Sequence, residues 1–273
     1  MFKIQEVKVK KTLQKSKISQ YCINPYLGCL NGCLYCYASF IMQKWHHKEE
    51  AWGSFVDVRV NSVENLKKEL RNKNKIEVYI SSMTDPYQEI EEKYQLSRGV
   101  LKVFLLEENS LFDKKFSITI QTKGDLVLRD LDILKELKDK TIGFTITILD
   151  EEKRKIFEKG ASPTYNRLKA LEVLNKEKIK TYAFFGPILP RISDSYEEIY
   201  KIVKLIYDAG TREIFFDKLS YFRFMRRIKE VSFKLGLYNE FLKSESDFYL
   251  SELKFKINTI IKEFKGLTPH ILF

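Results

Sequence analysis

Short runs of β-branched and aromatic residues recur along the chain, and polar segments with a helical period separate them. The runs have the length and composition of β-strands. They predict six strands, at residues 21–24, 77–82, 117–122, 141–147, 180–185 and 213–217.

The segments between these runs contain start and stop signals of helices. Ser195 opens a capping box that ends at Glu198, and apolar residues follow at positions 199, 202, 203 and 206 before Gly210. Ser162 and Pro163 are typical of another helix start, with serine at the N-cap and proline at the first helical position. A third helix is predicted from residues 61–64 to about residue 70.

Strand and helix alternate from the first predicted strand to the sixth, which predicts an α/β fold with a parallel sheet. Crossovers in such sheets are right-handed, so six units form a partial (β/α)6 barrel, like an incomplete TIM barrel. Functional residues are expected at the carboxyl ends of the strands. We assign residues 1–220 to this barrel and residues 221–273 to a helical C-terminal extension packed on it.

The chain has 273 residues and a formal net charge of +11. A basic balance favours nucleic acids, phosphorylated ligands or anionic surfaces as partners, although lysine richness without a binding role gives the same charge. In the tail, residues 221–229 interleave basic and aromatic side chains, which is typical of nucleic-acid contacts and also of an amphipathic helix. The chain has neither a run of about 18 apolar residues nor an apolar leader, which predicts a cytoplasmic protein without membrane association.

Three of the four cysteines, Cys29, Cys33 and Cys36, follow the spacing C-x3-C-x2-C. Clustered cysteines indicate a metal site in a reducing compartment rather than a disulfide framework. Three thiolates can hold three irons of a [4Fe–4S] cluster and leave the fourth iron open to chelate an amino acid through its amino and carboxylate groups. Two alternatives stay open, a structural zinc site completed by His46 or His47 and a loop of reduced thiols.

The spacing, with Tyr35 before the last cysteine, resembles the signature of the radical SAM superfamily. The resemblance implies a [4Fe–4S] cluster on Cys29, Cys33 and Cys36, with S-adenosylmethionine (SAM) on the iron that lacks a protein ligand. It also implies that an electron from the cluster cleaves SAM to a 5′-deoxyadenosyl radical, which takes a hydrogen atom from a substrate. An external one-electron reductant, such as a flavodoxin or ferredoxin, would supply that electron.

Further segments are similar to the branch of this superfamily that contains spore photoproduct lyase-like proteins. Matching segments are Asn-Pro-Tyr-Leu-Gly before Cys29, Thr-Asp-Pro-Tyr-Gln at residues 84–88, and Thr-Lys followed by Leu-Val-Leu-Arg-Asp at residues 122–130. Glu89 stands where proline is usual in that branch. Spore photoproduct lyase has a hydrogen-donor cysteine near the end of its second strand. Residues 78–82 here contain none, which puts thymine-dimer repair in doubt.

The resemblance implies cofactor contacts for single residues. Tyr35 is expected against the SAM adenine, and Lys123, at the end of the third strand, against the SAM carboxylate. Ser82 ends the second strand, Thr84 and Asp85 follow it, and this segment is expected to accept hydrogen bonds from the SAM ammonium. The alternatives are loop packing for the tyrosine, surface exposure for the lysine, and turn or cap formation for the three short polar side chains.

Other residues have two interpretations each. Thr145 and Thr147 share one face of the fourth strand, and they contact ribose or substrate only if that face lines the barrel. Tyr37 resembles a tyrosine that relays hydrogen atoms in spore photoproduct lyase, but relatives without that role carry it too. Cys22 can donate a hydrogen atom to a product radical or be an ordinary core residue. Arg167 can hold a carboxylate or take part in an ordinary ion pair.

We therefore predict a radical SAM enzyme that cleaves SAM reductively at a [4Fe–4S] cluster, with a nucleic acid as one candidate substrate. Modification of a peptide, protein or small metabolite is an alternative, since related barrels host many chemistries. The alternative from another class is a zinc-bearing nucleic-acid-binding module. The sequence leaves open whether the enzyme is a lyase or a transferase, and what its oligomeric state is.

Overall fold

The computed structural model describes residues 2–45, 47, 49–110, 114–220 and 226–273. In chain order the strands of these segments are β1 (Lys3–Val7), β2 (Leu13–Lys15), β3 (Tyr21–Ile23), β4 (Tyr26–Leu27), β5 (Phe55–Arg59), β6 (Lys75–Ile80), β7 (Lys115–Thr122), β8 (Asp139–Thr145), β9 (Lys180–Ile188), β10 (Glu213–Lys218) and β11 (Thr268–Ile271).

The helices are α1 (Tyr37–Trp45), α2 (Ser62–Glu69), α3 (Glu91–Tyr94), α4 (Leu96–Glu108), α5 (Leu131–Glu136), α6 (Glu151–Phe157), α7 (Thr164–Lys176), α8 (Tyr196–Asp208), α9 (Arg226–Lys234), α10 (Tyr238–Lys243) and α11 (Asp247–Ile261). A 3-10 helix, Asp125–Asp130, precedes α5.

Helix starts agree with the sequence in two of the three predicted places. Ser195 caps α8, because its hydroxyl accepts the Glu198 N–H at 3.1 Å, and α2 begins at Ser62. At the third place the predicted helix is present as α7, but its cap is one residue later than predicted, since Pro163 and not Ser162 occupies the N-cap. The Ser162 hydroxyl instead donates to Asp125 Oδ1 at 2.6 Å, which ties the start of α7 to the 3-10 helix.

All six predicted strands are present, as β3, β6, β7, β8, β9 and β10. They lie side by side in chain order in one sheet, and every neighbouring pair among them is parallel. Helices follow β6, β7, β8 and β9. The predicted α/β class with a parallel, open barrel-type sheet is confirmed.

Two further strands extend this sheet at its edges. β2 pairs antiparallel with β3, and β11 pairs parallel with β10. Because β11 lies within residues 221–273, the C-terminal segment adds a strand to the sheet as well as the helices α9, α10 and α11. The strand was not predicted, and the division of the chain at residue 220 stays a prediction. A separate small sheet has the order β1-β5-β4.

The two faces of the main sheet differ in chemistry. Side chains on the outer face, such as Ile118, Ile120, Phe144 and Phe185, belong to one large apolar core that includes residues of α4, α7, α8 and α11. The inner face is mostly polar and lines a cavity. The apolar burial that stabilises the fold is therefore between sheet and helices, which leaves the inside of the barrel open.

None of the helices in the described segments is long and apolar enough to cross a membrane.

Candidate active site

The three clustered cysteines lie on the loop that joins β4 to α1. Gly28 and Gly32 have φ of +88° and +56°, a backbone region that glycine adopts at little cost. A Cβ atom on Gly28 would lie 2.5 Å from the carbonyl oxygen of Phe55, so β5 packs directly against the loop. All three cysteines line one small cavity of about 150 Å³.

The cysteine thiols are shielded from water. Cys29 and Cys33 are buried and Cys36 is half-buried. Burial raises the pKa of each thiol, that of Cys33 to about 12. A metal centre bound here therefore has to displace protons from the sulfurs.

Asp85 joins the cysteine loop to the ends of β6 and β7. Its Oδ2 accepts hydrogen bonds from Asn31 Nδ2 at 2.9 Å and from the Lys123 N–H at 2.7 Å. Its Oδ1 accepts from the Tyr87 N–H at 2.9 Å and from the Thr122 hydroxyl at 2.5 Å. A carboxylate has about four lone-pair positions, so protein donors already occupy the acceptor capacity of Asp85.

Thr84 and Gln88 hold the other side of the loop. The Thr84 hydroxyl donates to the Gly28 carbonyl at 2.5 Å and accepts from Gln88 Nε2 at 2.8 Å. Gln88 Oε1 accepts the Leu30 N–H at 2.8 Å. Gln88 was not among the predicted site residues, although it belongs to the matched segment at residues 84–88.

Cys22 and Tyr37, the two candidate catalytic residues, meet at Ser82. Cys22 lies beside Tyr79 of β6 in the strand register, and its Sγ donates to Ser82 Oγ at 3.1 Å. The Tyr37 hydroxyl donates to the Ser82 carbonyl. The preceding residue, Ser81, has φ of +68°, and its hydroxyl is buried without a hydrogen-bond partner in the described part of the chain.

Lys123 and Thr145 lie at the carboxyl ends of β7 and β8, where the sequence predicted functional residues. Both line the cysteine cavity and a larger barrel cavity. The Lys123 ammonium lies 5.5 Å from the centre of the Tyr35 ring. Thr147 is placed differently, since it is fully buried and its hydroxyl donates to the Gly186 carbonyl at 2.9 Å.

Tyr35 is held by a buried ion pair. Its hydroxyl donates to Glu158, whose Oε2 lies 2.6 Å from Arg167 Nη2. Arg167 thus takes part in an ordinary ion pair, one of its two predicted roles. Burial alone would raise the pKa of Glu158, but the Arg167 and Lys123 charges outweigh it and hold that pKa below its usual value.

The larger barrel cavity has a volume of about 1030 Å³ and adjoins Cys33 and Cys36. Its wall comes from the inner face of β6, β7, β8, β9 and β10, and it contains acidic and basic side chains in similar number. The charged lining residues are Glu77, Lys123, Asp139, Lys180, Glu213, Asp217 and Lys218. Ile18, before β3, and Leu272, after β11, line the same cavity, so it extends to both edges of the open sheet.

Of the two histidines in the zinc alternative, the structure describes His47, which contacts an acidic and an aromatic side chain. His47 Nε2 lies 3.1 Å from Asp57 Oδ2, and the His47 ring stacks on Phe55 at 3.9 Å. His46 lies outside the described residues, as do residues 221–225 of the basic and aromatic segment. Within the described segments, no three Cys, His, Asp or Glu side chains form a group that could hold one metal ion.

A match to the sequence model of a protein family shows which family the chain belongs to. Residues 23–206 match the model of the Radical SAM superfamily. The chain belongs to this superfamily. The family uses SAM and a [4Fe–4S] cluster, so the chain is an enzyme of the radical SAM type, and the family-level resemblance is confirmed.

Relatives occur in archaea, bacteria and an archaeal virus. An uncharacterized protein of Methanocaldococcus jannaschii is 38% identical over 194 residues, which cover 70% of each chain. An uncharacterized protein of Acidianus two-tailed virus is 29% identical over 211 residues, 73% of this chain and 67% of the relative. A Mycobacterium tuberculosis protein is 26% identical over 197 residues, 70% of this chain and 56% of its own length.

Solved structures of radical SAM enzymes share the fold. Spore photoproduct lyase complexed with dinucleoside spore photoproduct matches with a TM-score of 0.69 at 15% identity, over 99% of this chain and 82% of that chain. Streptococcus suis SuiB bound to SAM matches with a TM-score of 0.59 at 14% identity, over 92% of this chain and 49% of that chain.

The residues of this radical SAM chain fit the cofactors of the family. The three thiols line one cavity, as the ligands of a cluster would. Among the described residues they do not form a group that could hold a single ion, and a cluster needs each thiol on a different iron. The ammonium-bearing side chain of Lys123 lines the same cavity, and so does Ser81 with its unpartnered hydroxyl. A buried polar group without a protein partner calls for a partner from outside the chain, which a bound ligand or an ordered water supplies.

Proposed function

We propose that Cys29, Cys33 and Cys36 hold a [4Fe–4S] cluster and that SAM binds beside it. The observation that carries this proposal is the shared cavity, in which Ser81 and Lys123 lie with the three cysteines. When bound, the cluster and SAM supply a 5′-deoxyadenosyl radical that removes a hydrogen atom from the substrate. The protein supplies the positions of these groups and the shielding from water.

Four side chains near the cysteines divide into contact and positioning roles. Lys123 is suited to the SAM carboxylate, because a cation facing a carboxylate in a partly buried site forms a strong hydrogen bond. Ser81 and Ser82 offer hydroxyl groups for the SAM ammonium. Asp85 is better suited to positioning, because its four hydrogen bonds with the protein already fill its oxygens.

The barrel cavity is the proposed place of the reacting part of the substrate. Tyr35 and Thr145 line it beside Cys33 and Cys36, and we assign them to the adenine and ribose of SAM. Tyr37 lines it too, while Cys22 contacts the same Ser82 as Tyr37 does. We assign the return of a hydrogen atom to a product radical to Tyr37, which lines the cavity, or to Cys22 behind it.

A nucleic acid is the first candidate substrate. The net charge of +11 supports it, and so does the fold shared with a lyase that was solved with a dinucleoside photoproduct. The carboxylates in the cavity wall repel phosphate, so the cavity suits a base, and the phosphates would contact the outer surface.

A peptide, protein or small metabolite is the second candidate. The mixed charge of the cavity and the lack of a cysteine at residues 78–82 favour it. Two arginines of the tail segment are also engaged within the protein. Arg226 forms an ion pair with Glu230 at 2.7 Å, and Arg227 donates to the Trp52 carbonyl.

Metal analysis after anaerobic purification tests the cofactor. The expected result is a brown protein with about four irons per chain, which yields 5′-deoxyadenosine from SAM after reduction. Cys33→Ala should lose the iron and this activity. Cys22→Ala is the matched control for iron binding, because it removes a cysteine outside the loop, and it should keep the iron. Colourless protein with one zinc would overturn the proposal.

Isotope transfer separates the two substrate classes. SAM deuterated at the 5′ carbon, the reduced enzyme and either an oligonucleotide or a short peptide are incubated together. Deuterium in the recovered oligonucleotide supports the first candidate, and so does transfer of an oligonucleotide hydrogen to 5′-deoxyadenosine. Transfer only with the peptide favours the second.

A further inference from the structure

Trp52 is a buried tryptophan in the wall of the cysteine cavity. It is only 2% exposed and lies in the turn before β5. Its indole Nε1–H is buried and has no acceptor among the residues that the structure describes. The proposed SAM contacts do not use this donor.

The position of Trp52 is fixed by the turn on which it lies. Gly53, with φ of +92°, packs against Gly32 of the cysteine loop, and a Cβ on Gly53 would lie 2.7 Å from Gly32 Cα. The Trp52 carbonyl accepts from Arg227, and its ring meets the Phe55 ring edge-on at 6.0 Å. Only glycine on both sides allows the turn and the loop to come so close.

A buried N–H without a partner is rare, because losing its hydrogen bond to water destabilises the folded state. An indole can donate but not accept, so its partner must be an acceptor. Since the protein supplies none in the described segments, the acceptor is expected to be a group that fills the cavity.

We propose that Trp52 Nε1 donates a hydrogen bond to a sulfur of the cluster, an inference that rests on the proposed [4Fe–4S] centre. Trp52 packs in one apolar group with Cys29, and Cys36 packs against that group. Ala38 and Met42 of α1, the helix that follows Cys36, belong to the same group. The indole therefore lies on the cluster side of the cavity.

Hydrogen bonds to cluster sulfurs set the reduction potential. A donor stabilises the reduced cluster more than the oxidised one, because the reduced cluster carries more negative charge on its sulfurs. Trp52 thus makes the cluster easier to reduce by an external donor. It acts as a positioning residue that tunes the electron-accepting centre, and it does not take part in the reaction itself.

Trp52→Phe removes the N–H and keeps an aromatic ring. At a fixed potential near the midpoint, and without SAM, the ratio of reduced to oxidised cluster should fall about threefold or more, because the ratio changes by the difference in hydrogen-bond strength between the two redox states. Phe55→Leu is the matched control, because it loosens the packing around Trp52 but leaves the N–H. Its ratio should stay close to that of the wild type when iron contents are equal.

A measurement on the unmutated holoenzyme covers the case in which Trp52→Phe does not fold or load. With indole-15N tryptophan, which labels Trp45 as well, electron–nuclear double resonance of the reduced cluster should detect a coupled 15N and an exchangeable proton, and both should persist in Trp45→Phe. Unchanged reduction of Trp52→Phe, or no such coupling, would overturn the inference. Weaker SAM binding with unchanged reduction would assign the donor to SAM instead. Failure to form any cluster would refute the proposed function and not this inference alone.

Discussion

Substituting Glu158 by glutamine tests whether the buried ion pair behind the cysteine loop holds the fold together. Glu158 and Arg167 have no exposed side-chain surface, and their charged atoms lie 2.6 Å apart. Arg167 also donates to the Ser162 carbonyl at 2.8 Å and to the Thr145 carbonyl at 3.1 Å. Glu158 accepts in addition the Tyr35 hydroxyl. The pair therefore connects α6, α7, β8 and the cysteine loop.

The expected cost follows from what Glu158→Gln leaves behind. Glutamine fills the same volume but carries no charge, so the Arg167 guanidinium stays buried without a counter-charge. Breaking one partner of a buried ion pair costs about 3–5 kcal/mol of unfolding free energy. The amide can accept from either Arg167 or Tyr35 with its one oxygen, which keeps the loss near the lower end of that range.

Urea unfolding of the full chain at pH 7, followed by circular dichroism, measures this loss. Glu152→Gln is the matched control, because Glu152 forms an exposed ion pair with Lys155 on the same helix, α6. Exposed pairs contribute little, so the control should be indistinguishable from the wild type. A loss below about 1 kcal/mol for Glu158→Gln would refute the assignment of a stabilising role to the buried pair.

The difference in unfolding free energy between wild type and Glu158→Gln should change with pH in a known direction. The folded-state pKa of Glu158 lies below its usual value, which is about 4.3 in the unfolded chain. Its contribution is fully present above the unfolded-state pKa and is lost as the pH falls through the folded-state pKa. The stability difference between wild type and Glu158→Gln should therefore shrink below about pH 4.3, and a constant difference down to pH 3 would contradict it.

Three further substitutions probe other contacts. Gly143→Ala places a Cβ 2.0 Å from Tyr182 Cζ, so the ring must move and lose its hydrogen bond to Gln121. We expect thermal unfolding to show a loss of about 1–3 kcal/mol of unfolding free energy, and an unchanged melting temperature would contradict this. Lys123→Met should weaken SAM binding about tenfold at equal iron content, measured by equilibrium dialysis. Lys102→Met, on the exposed face of α4, is its control, and equal affinities would argue against the carboxylate contact. Asp85→Asn turns one accepting oxygen into a donor that faces other donors. A chelator should therefore remove iron faster from this variant than from the wild type, and equal rates would argue against a role of Asp85 in holding the loop.

The sheet could be predicted because its six central strands are encoded locally. Each is a run of β-branched or aromatic residues, and each is followed in the chain by a helical or turn segment. Strand β11 could not be found in this way. It has four residues, one of them Pro269, and proline within a short run argues against a strand. Its pairing with β10 at the sheet edge depends on α9, α10 and α11, which carry the chain back to that edge.

The candidate site was predicted where chemistry depends on spacing and was missed where it depends on packing. The three cysteines and the residues at the ends of β6 and β7 stand out in the sequence. Trp52 and Ser81 do not, since a tryptophan in a turn and a serine after a strand are ordinary. Their importance follows from burial without a partner, which is a property of the folded chain.

The sequence also encodes which side chains lie inside the barrel, and the six strand predictions did not use this information. In β7, Ser117, Thr119 and Gln121 line the cavity, while Ile118 and Ile120 pack in the core, as the period of two requires. A closed (β/α)8 barrel fills its interior with bulky branched side chains. The alternation within residues 117–122 therefore predicts polar side chains inside the barrel, where a closed barrel has a filled apolar core.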